Sequence, residues 1–415
     1  MEEKSRFAAG LDVGTNYIRV VVGSIVKDSK GNESLSVVGF NEVTSEGLRR
    51  GGVKEIDSPA KAIDDCLLKA ESMSGYEIND ATVSINGSTI ASAKIDGMIA
   101  VGTSDHEIEI DDLERVEGIA ISGKVPANRQ TLEVVPYEYI LDGQGGIREP
   151  LGMTGNRLEL NANVVSVMKP DFDNLLKSCE KASVNARRVT PAVLAAARAV
   201  LTNRQRENGV GVVDLGGSTT SVAIYDEGEL QFVGVLPIGS NDITRDLATV
   251  LMTVPDVAEE IKIRYATGRF EDGKDIVIKR GHDDYVFSRK EINEVVEARL
   301  EEIFEGVRKV LKHAGYDRRL PEGLVLTGGG AKMRDIDLYA RTQVELAVRI
   351  GKPERIESVD GSVLRPEYAT ALGLAMLDME MGDVAPAIKK GFKFGKKKTK
   401  GSGSGLLKSI LGKFK

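Results

Sequence analysis

The sequence is poor in the residues that make covalent or metal staples. It holds two cysteines, Cys66 and Cys179, three histidines and no CxxC pair. Two cysteines form no disulfide framework and fit a reducing compartment, and the scattered histidines offer no zinc-ligand spacing. No run of 18 apolar residues is present, so no membrane-spanning helix is expected. The N-terminus, MEEKSRFAAG, lacks a basic segment followed by an apolar one, and no secretory leader is expected. The P-loop pattern GxxxxGKS/T is missing, as is a GxGxxG after the first strand, which excludes two common nucleotide sites.

What is present is ordinary in bulk and uneven in detail. The chain has 415 residues, 41% apolar and 29% charged, which suits a globular protein of about two to four domains with a core that needs no staples. Net charge is −7, yet the last acidic residue is Asp383, and Lys389 to Lys415 contain ten lysines and no acid. Residues 1–388 therefore carry about −17, and the acidic body and basic tail point to a tail with its own partner.

Two stretches repeat one order of parts. LDVGTNYIRVVVG (11–23) and VVDLGGSTTSVAIY (212–225) each run from an apolar strand to Asp, then to glycine and hydroxyl residues, then to a second apolar strand. FAAGLDVG, YIRVVVGSIV and LSVVGF read as strands, with turns at Gly14 and over Lys27–Asn32. Residues 59–73 read as a helix with Pro59 in its first turn and Ser58 as N-cap. The stretch 82–168 reads as a separate α/β unit inserted between two halves of the first domain. Further helices are expected over 172–183, 191–201, 255–265 and 289–312, and strand 324–333 ends in Gly328, Gly329 and Gly330.

A single Asp-x-Gly hairpin is commonly only a turn. A matched pair is chemically suggestive. Glycines let backbone N–H groups approach a phosphate, hydroxyls add donors, and Asp12 and Asp214 are placed to hold the waters of a Mg²⁺. Two such tips facing one another would clamp a polyphosphate, and the later glycine run would admit ribose and adenine without Cβ clashes.

The set LDVGT, VVDLGGSTT and VLTGGGA resembles the actin-like ATPase superfamily. LPIGSNDITRDLA (236–248), PDVAEEIKIRYATG (255–268) and the insert narrow this to the bacterial cell-division FtsA family, over nearly the whole chain. The resemblance implies an α/β actin-like fold, with ribonuclease H-like duplicated domains, a cleft-bound nucleotide, an inserted small α/β subdomain and a C-terminal amphipathic helix. It divides the chain into subdomain 1A (1–82 and 169–209), 1C (83–168), 2A (210–245 and 321–383), 2B (246–320), a flexible linker (384–405) and a membrane-targeting helix (406–415).

The same resemblance implies ATP and Mg²⁺ as ligands. Asp12 and Asp214 would hold the metal, through water. Gly14, Thr15, Asn16 and Tyr17 would form the first phosphate loop, and Gly216, Gly217, Ser218 and Thr219 the second. Glu259 and Lys262 would contact ribose and adenine; read from the residues alone, they are a surface ion pair worth at most about 1 kcal/mol. Gly328, Gly329, Gly330 and Met333 would wall the adenosine, and Gly239 would approach the nucleotide. Ser218, Tyr17, Ser240 and Ser221 depart from the family pattern, and Tyr17 in place of a lysine removes one cation near the phosphates. No general base is assigned, and any ATPase activity is expected to be slow.

In the tail, Leu406, Leu407, Ile410, Leu411 and Phe414 fall on one helical face, with Lys408, Lys413 and Lys415 opposite. This is the pattern of a helix lying in a lipid headgroup layer, where each lysine near an anionic leaflet adds about 1 kcal/mol. Docking on the protein's own surface stays open, since the spacer reaches on the order of 25 Å. Nucleic acid is not expected, for want of aromatic stacking residues and because the body is acidic. The family further implies self-association into filaments on the cytoplasmic membrane and contact with the C-terminal tail of the tubulin-like division protein FtsZ through Arg289, Lys290 and Arg299, with other division proteins as further partners. Those three residues read equally well as a solvated charged face. The alternatives are a PilM-like type IV pilus scaffold, a small-molecule kinase of the same fold, and a scaffold with an inactive site.

Overall fold

The structure is a computed structural model that describes residues 6–27, 33–102, 107–271, 273–280, 283–353, 356–358 and 361–382. The expected turn beyond Lys27, the linker 384–405 and the helix 406–415 lie outside the described residues.

Strands β1 (Phe7–Val13), β2 (Tyr17–Lys27) and β3 (Glu33–Thr44) open the chain as an antiparallel meander. A short hairpin, β4 (Leu48–Arg49) and β5 (Gly52–Val53), leads to helix α1 (Asp57–Ser74) and strand β6 (Asp80–Ile85). Next come β7 (Ala91–Ala100), α2 (Ile110–Ile121), β8 (Arg129–Leu141), β9 (Gln144–Ile147) and β10 (Arg157–Met168). Helix α3 (Lys169–Lys181), β11 (Asn185–Pro191), α4 (Ala192–Val200) and α5 (Asn203–Asn208) close the first half.

The second half repeats the plan. A meander of β12 (Val210–Leu215), β13 (Thr220–Asp226) and β14 (Glu229–Leu236) precedes α6 (Ser240–Val250) and α7 (Pro255–Tyr265). The hairpin β15 (Ile276–Arg280) and β16 (Asp283–Phe287) and helix α8 (Arg289–His313) follow. Last come β17 (Leu324–Thr327), α9 (Ile336–Val344), β18 (Val348–Ile350), β19 (Glu357–Ser358) and α10 (Ala369–Met381).

The two large sheets have one topology. The first runs β11-β6-β1-β2-β3-β19 and the second β18-β17-β12-β13-β14. In each, an antiparallel meander is extended on the side of its first strand by two parallel strands. Parallel strands are covered on both faces, which is why FAAGLDV is buried from its second residue onward. The third sheet, β7-β10-β8-β9, carries α2 and has its own core around Ile99, Val116, Leu158 and Leu160. It also touches the second lobe: the Ser92 hydroxyl accepts from Val233 N–H (2.8 Å) and donates to Val233 O (2.9 Å), and Asn163 Nδ2 donates to Leu230 O (2.6 Å).

Three local readings shift. Strand β6 pairs in parallel with β1 and β11 of the first large sheet, so a boundary at 82/83 cuts a strand, and the third sheet starts at β7. A boundary at 245/246 likewise cuts α6. Ser58 does not cap α1, which begins at Asp57 after Ile56; its hydroxyl donates to Glu55 Oε2 instead (3.1 Å).

Helices α4 and α10 cross where the lobes join, and the first core continues there into Val210, Val212 and Val325. Their alanines permit a close approach, and Gly373 marks its tightest point: a Cβ there would overlap the Ala195 carbonyl. Gly118, inside α2, faces open space. Gly373→Ala should therefore destabilise by about 1–3 kcal/mol through forced separation of the helices. Gly118→Ala should be neutral or stabilising by up to ~1 kcal/mol. Denaturant unfolding of both variants checks the contrast; equal behaviour would mean that the crossing is loose.

Candidate functional site

The two matched hairpins place their carboxylates by register. Asp12 is the penultimate residue of β1 and lies across from Arg19, while Asp214 is the penultimate residue of β12 and lies across from Ser221. Each turn closes in the same way. Gly14 N–H donates to Tyr17 O (3.2 Å) and Gly216 N–H donates to Thr219 O (2.9 Å). Neither glycine has room for a Cβ, which would sit 2.7 Å from Tyr17 O or 2.9 Å from Thr219 O.

The tips meet. The Thr15 and Ser218 hydroxyls are 2.8 Å apart, and the Asn16 side chain lies against Gly217. Thr219 is buried, and Tyr17, at 38% exposure, lies beneath the Arg19 guanidinium, 5.0 Å from its ring centre. Behind the tips, Gly239 begins α6. Its missing side chain lets the helix N-terminus abut the second loop, where Ser240 N–H donates to Gly216 O (3.0 Å) and Asn241 N–H to Gly217 O (2.7 Å).

Under the tips lie the two acids. Burial raises the Asp12 pKa, opposed by Arg19 and by the Ser84 hydroxyl that donates to its Oδ1 (2.8 Å). Burial and repulsion from Asp12 push Asp214 up to about 7, against the pull of Arg19. Two carboxylates that resist ionising together are a place where a cation is worth most. Among the described residues no group of three or more His, Cys, Asp or Glu side chains could hold a metal, so a cation here would draw its remaining ligands from water or phosphate.

The glycine run after β17 divides its work. Gly328 has φ +83°, and a Cβ there would overlap Asp214 Oδ1; Gly330 packs on Leu215. Gly329 faces open space, and Met333 packs half-buried against the second core. Glu259 and Lys262 form an ion pair at 2.7 Å, but Lys262 is only 9% exposed, so it is not a surface pair. Its ammonium also donates to Thr244 Oγ1 (2.9 Å) and Ser240 O (3.2 Å), tying α7 to the start of α6.

Residues missed from sequence are Arg19, Ser84, Asn241 and Thr244. Arg19 also corrects the expectation drawn from Tyr17: a cation does stand beside the carboxylates, two residues further along the strand, shared with Glu42 (3.0 Å). The mirror register of the hairpin about Thr15 and Asn16 would have placed it opposite Asp12. The residues on α8 lie elsewhere. Arg299 is paired with Asp246 (2.7 Å) and Glu302 (2.5 Å), Arg289 donates to Tyr265 O (3.0 Å), and Lys290 is exposed with Glu294 3.8 Å away.

Comparison with known proteins agrees with this geometry. The family model of cell division protein FtsA matches residues 211–373, and that of an SHS2 domain inserted in FtsA matches 87–166. Cell division protein FtsA of Pseudomonas aeruginosa is 35% identical over 383 residues, covering 91% of this chain and 90% of its own length. That of Bacillus subtilis is 31% identical, covering 88% and 81%. Among solved structures, a PilM-PilN type IV pilus biogenesis complex matches with TM-score 0.65 at 17% identity, covering 89% of this chain and 97% of its own. MreB5 of Spiroplasma citri bound to ADP matches with TM-score 0.54 at 14% identity, covering 91% and 97%. The two structures speak for the fold alone, which is actin-like.

The Asp214 pKa has a consequence with a definite sign. A carboxyl raised from 3.8 to about 7 keeps its proton in the folded state where the unfolded chain has lost it, so stability falls as pH rises from about 4 to about 7. Asp214→Asn should match the parent near pH 4 and exceed it above pH 7 by on the order of 2–4 kcal/mol. Thermal unfolding across this range without divalent cations measures the gap; a constant difference would show that Asp214 ionises normally.

Proposed function

The chain belongs to the FtsA family of cell division proteins, and we propose that it binds Mg·ATP between its lobes and assembles on the cytoplasmic face of the membrane, where it tethers FtsZ. One observation carries the nucleotide reading: two glycine-bearing tips from equivalent hairpins touch through Thr15 and Ser218 above two mutually repelling carboxylates, Asp12 buried and Asp214 half-buried. Thr15, Ser218 and the loop amides would donate to phosphate oxygens, and Asp12 and Asp214 would orient the waters of the metal. The metal would neutralise phosphate charge when bound. Gly329 would admit the nucleoside side, with Lys262 and Glu259 holding α7 against α6 beside it.

Lobes held at a fixed angle favour head-to-tail contacts between copies, a heterologous interface that propagates into filaments. Many weak tails on one filament then gain avidity, so a marginal helix at 406–415 suffices as an anchor. For the acidic FtsZ tail, Lys290 is the best placed of the three α8 residues, because Arg299 would first have to leave Asp246 and Glu302. The PilM reading has fold similarity in its favour, but no basic amphipathic tail is expected of it. A kinase reading would require a sugar pocket with its own catalytic acid.

Electron microscopy on an anionic lipid monolayer, with and without Mg·ATP, tests lipid binding and assembly together. Filaments are expected only on the lipid and with nucleotide. Asp214→Ala should weaken Mg·ATP binding at least ~10-fold with the fold retained, as the loss of about 1.4 kcal/mol or more of metal-assisted binding. Deleting 406–415 should release the protein from anionic vesicles. Undiminished binding in either case removes that residue or segment from its role.

A further inference from the structure

The hydroxyl pair is not the only link between the tips. Asn16 and Asn241 face each other with their amides antiparallel: Asn16 Nδ2 donates to Asn241 Oδ1 and Asn241 Nδ2 donates to Asn16 Oδ1, each at 2.7 Å. The partners lie 225 residues apart, one on the first hairpin tip and the other in the first turn of α6. Asn241 also donates its backbone N–H to Gly217 O (2.7 Å), and the carbonyl of Asn16 accepts from Ser45 N–H (2.9 Å). One residue therefore grips both loops, the second through its backbone and the first through its side chain. Gly217 leaves the space in which the Asn16 amide crosses: a Cβ there would lie 2.8–2.9 Å from three atoms of that amide.

We propose that Asn241 is a positioning residue of the nucleotide site, which latches the first phosphate loop onto the second before any ligand arrives. The proposal rests on the nucleotide reading above. The two links between the tips differ in kind. The Thr15–Ser218 hydroxyl pair is exchangeable, since a phosphate oxygen entering the cleft can accept from both hydroxyls as they rotate. The amide pair is reciprocal and neutral, so it neither competes with phosphate for donors nor responds to its charge. The loops then stay in register while their hydroxyls turn, and the cost of ordering them is met at folding instead of at binding. Pre-organisation of this kind acts mainly on release.

Hydrogen exchange on the protein without nucleotide tests the latch directly. In Asn16→Ala and in Asn241→Ala, amides of 14–19 and 216–220 should exchange about tenfold faster, the equivalent of ~1.4 kcal/mol for two modest neutral hydrogen bonds. The double variant should exchange no faster than either single one, because both remove the same pair. Amides of α8 should be unchanged, which a general loss of stability would not allow. Gly217→Ala, which displaces the Asn16 amide and leaves Asn241 intact, should act in the same way. With Mg²⁺ and a fluorescent ATP analogue, each variant should release nucleotide about tenfold faster than the parent. Parental exchange at the tips in the single variants or in Gly217→Ala, or additive effects in the double variant, overturns the latch. If the parent takes up no nucleotide, the nucleotide reading falls, and the exchange result still decides whether the latch exists.

Discussion

Two carboxylates within each other's field, Asp12 buried and Asp214 half-buried, are the constraint on which the rest of this molecule turns. Asp12 and Asp214 come from strands that are equivalent in the two lobes, so the duplication that builds the fold also creates the repulsion. Solvation relieves it only in part, because Asp12 is buried and Asp214 is half-buried. The chain instead supplies Arg19, Ser84 and a space kept free by Gly328. Arg19 reduces the repulsion without abolishing it, because Glu42 shares its charge. The two acids therefore favour a cation beside them, in keeping with the metal-chelated nucleotide proposed for the site.

The architecture around this point makes the demand consequential. The lobes meet through the α4–α10 crossing behind the cleft and through the touching tips in front. The third sheet adds another connection, since it branches from the first lobe by sequence but hydrogen-bonds to β14 of the second through Ser92 and Asn163. A change in the angle between lobes would have to break those bonds or carry the sheet along. The inserted unit is therefore mechanically coupled to the second lobe through β14.

Much of this was legible in the sequence, and for a clear reason. An Asp-x-Gly tip between apolar runs is a local pattern, and its second occurrence is visible without knowing how the chain folds. Helices α7 and α8 were equally legible, from Pro255 at a first turn and from apolar residues at helical spacing. What escaped depends on pairing across space. Ser84 reaches Asp12 because β6 lies beside β1, and Asn241 reaches Asn16 because the lobes close; no spacing rule encodes either contact. Arg19 follows from register alone: a hairpin that turns at Thr15 and Asn16 sets residue 19 opposite Asp12. The subdomain boundary at 82/83 failed for a related reason: alternation identifies β6 as a strand but not the sheet to which it belongs.

The opposing forces at the cleft are of different kinds, and this sets how the protein can respond to a ligand. Charge pushes the two floors apart, with a strength that depends on protonation, on bound cations and on ionic strength. Neutral hydrogen bonds and glycine contacts pull the two tips together, with a strength that depends on none of these. Were both forces electrostatic, a change in salt or pH would shift them jointly and the lobe angle would follow the solvent. Arg19 already offsets part of the ionic push, and a cation at the acids would remove more of it while leaving the neutral contacts at the tips untouched. The closed form then gains stability from a ligand that need not touch the contacts holding it closed.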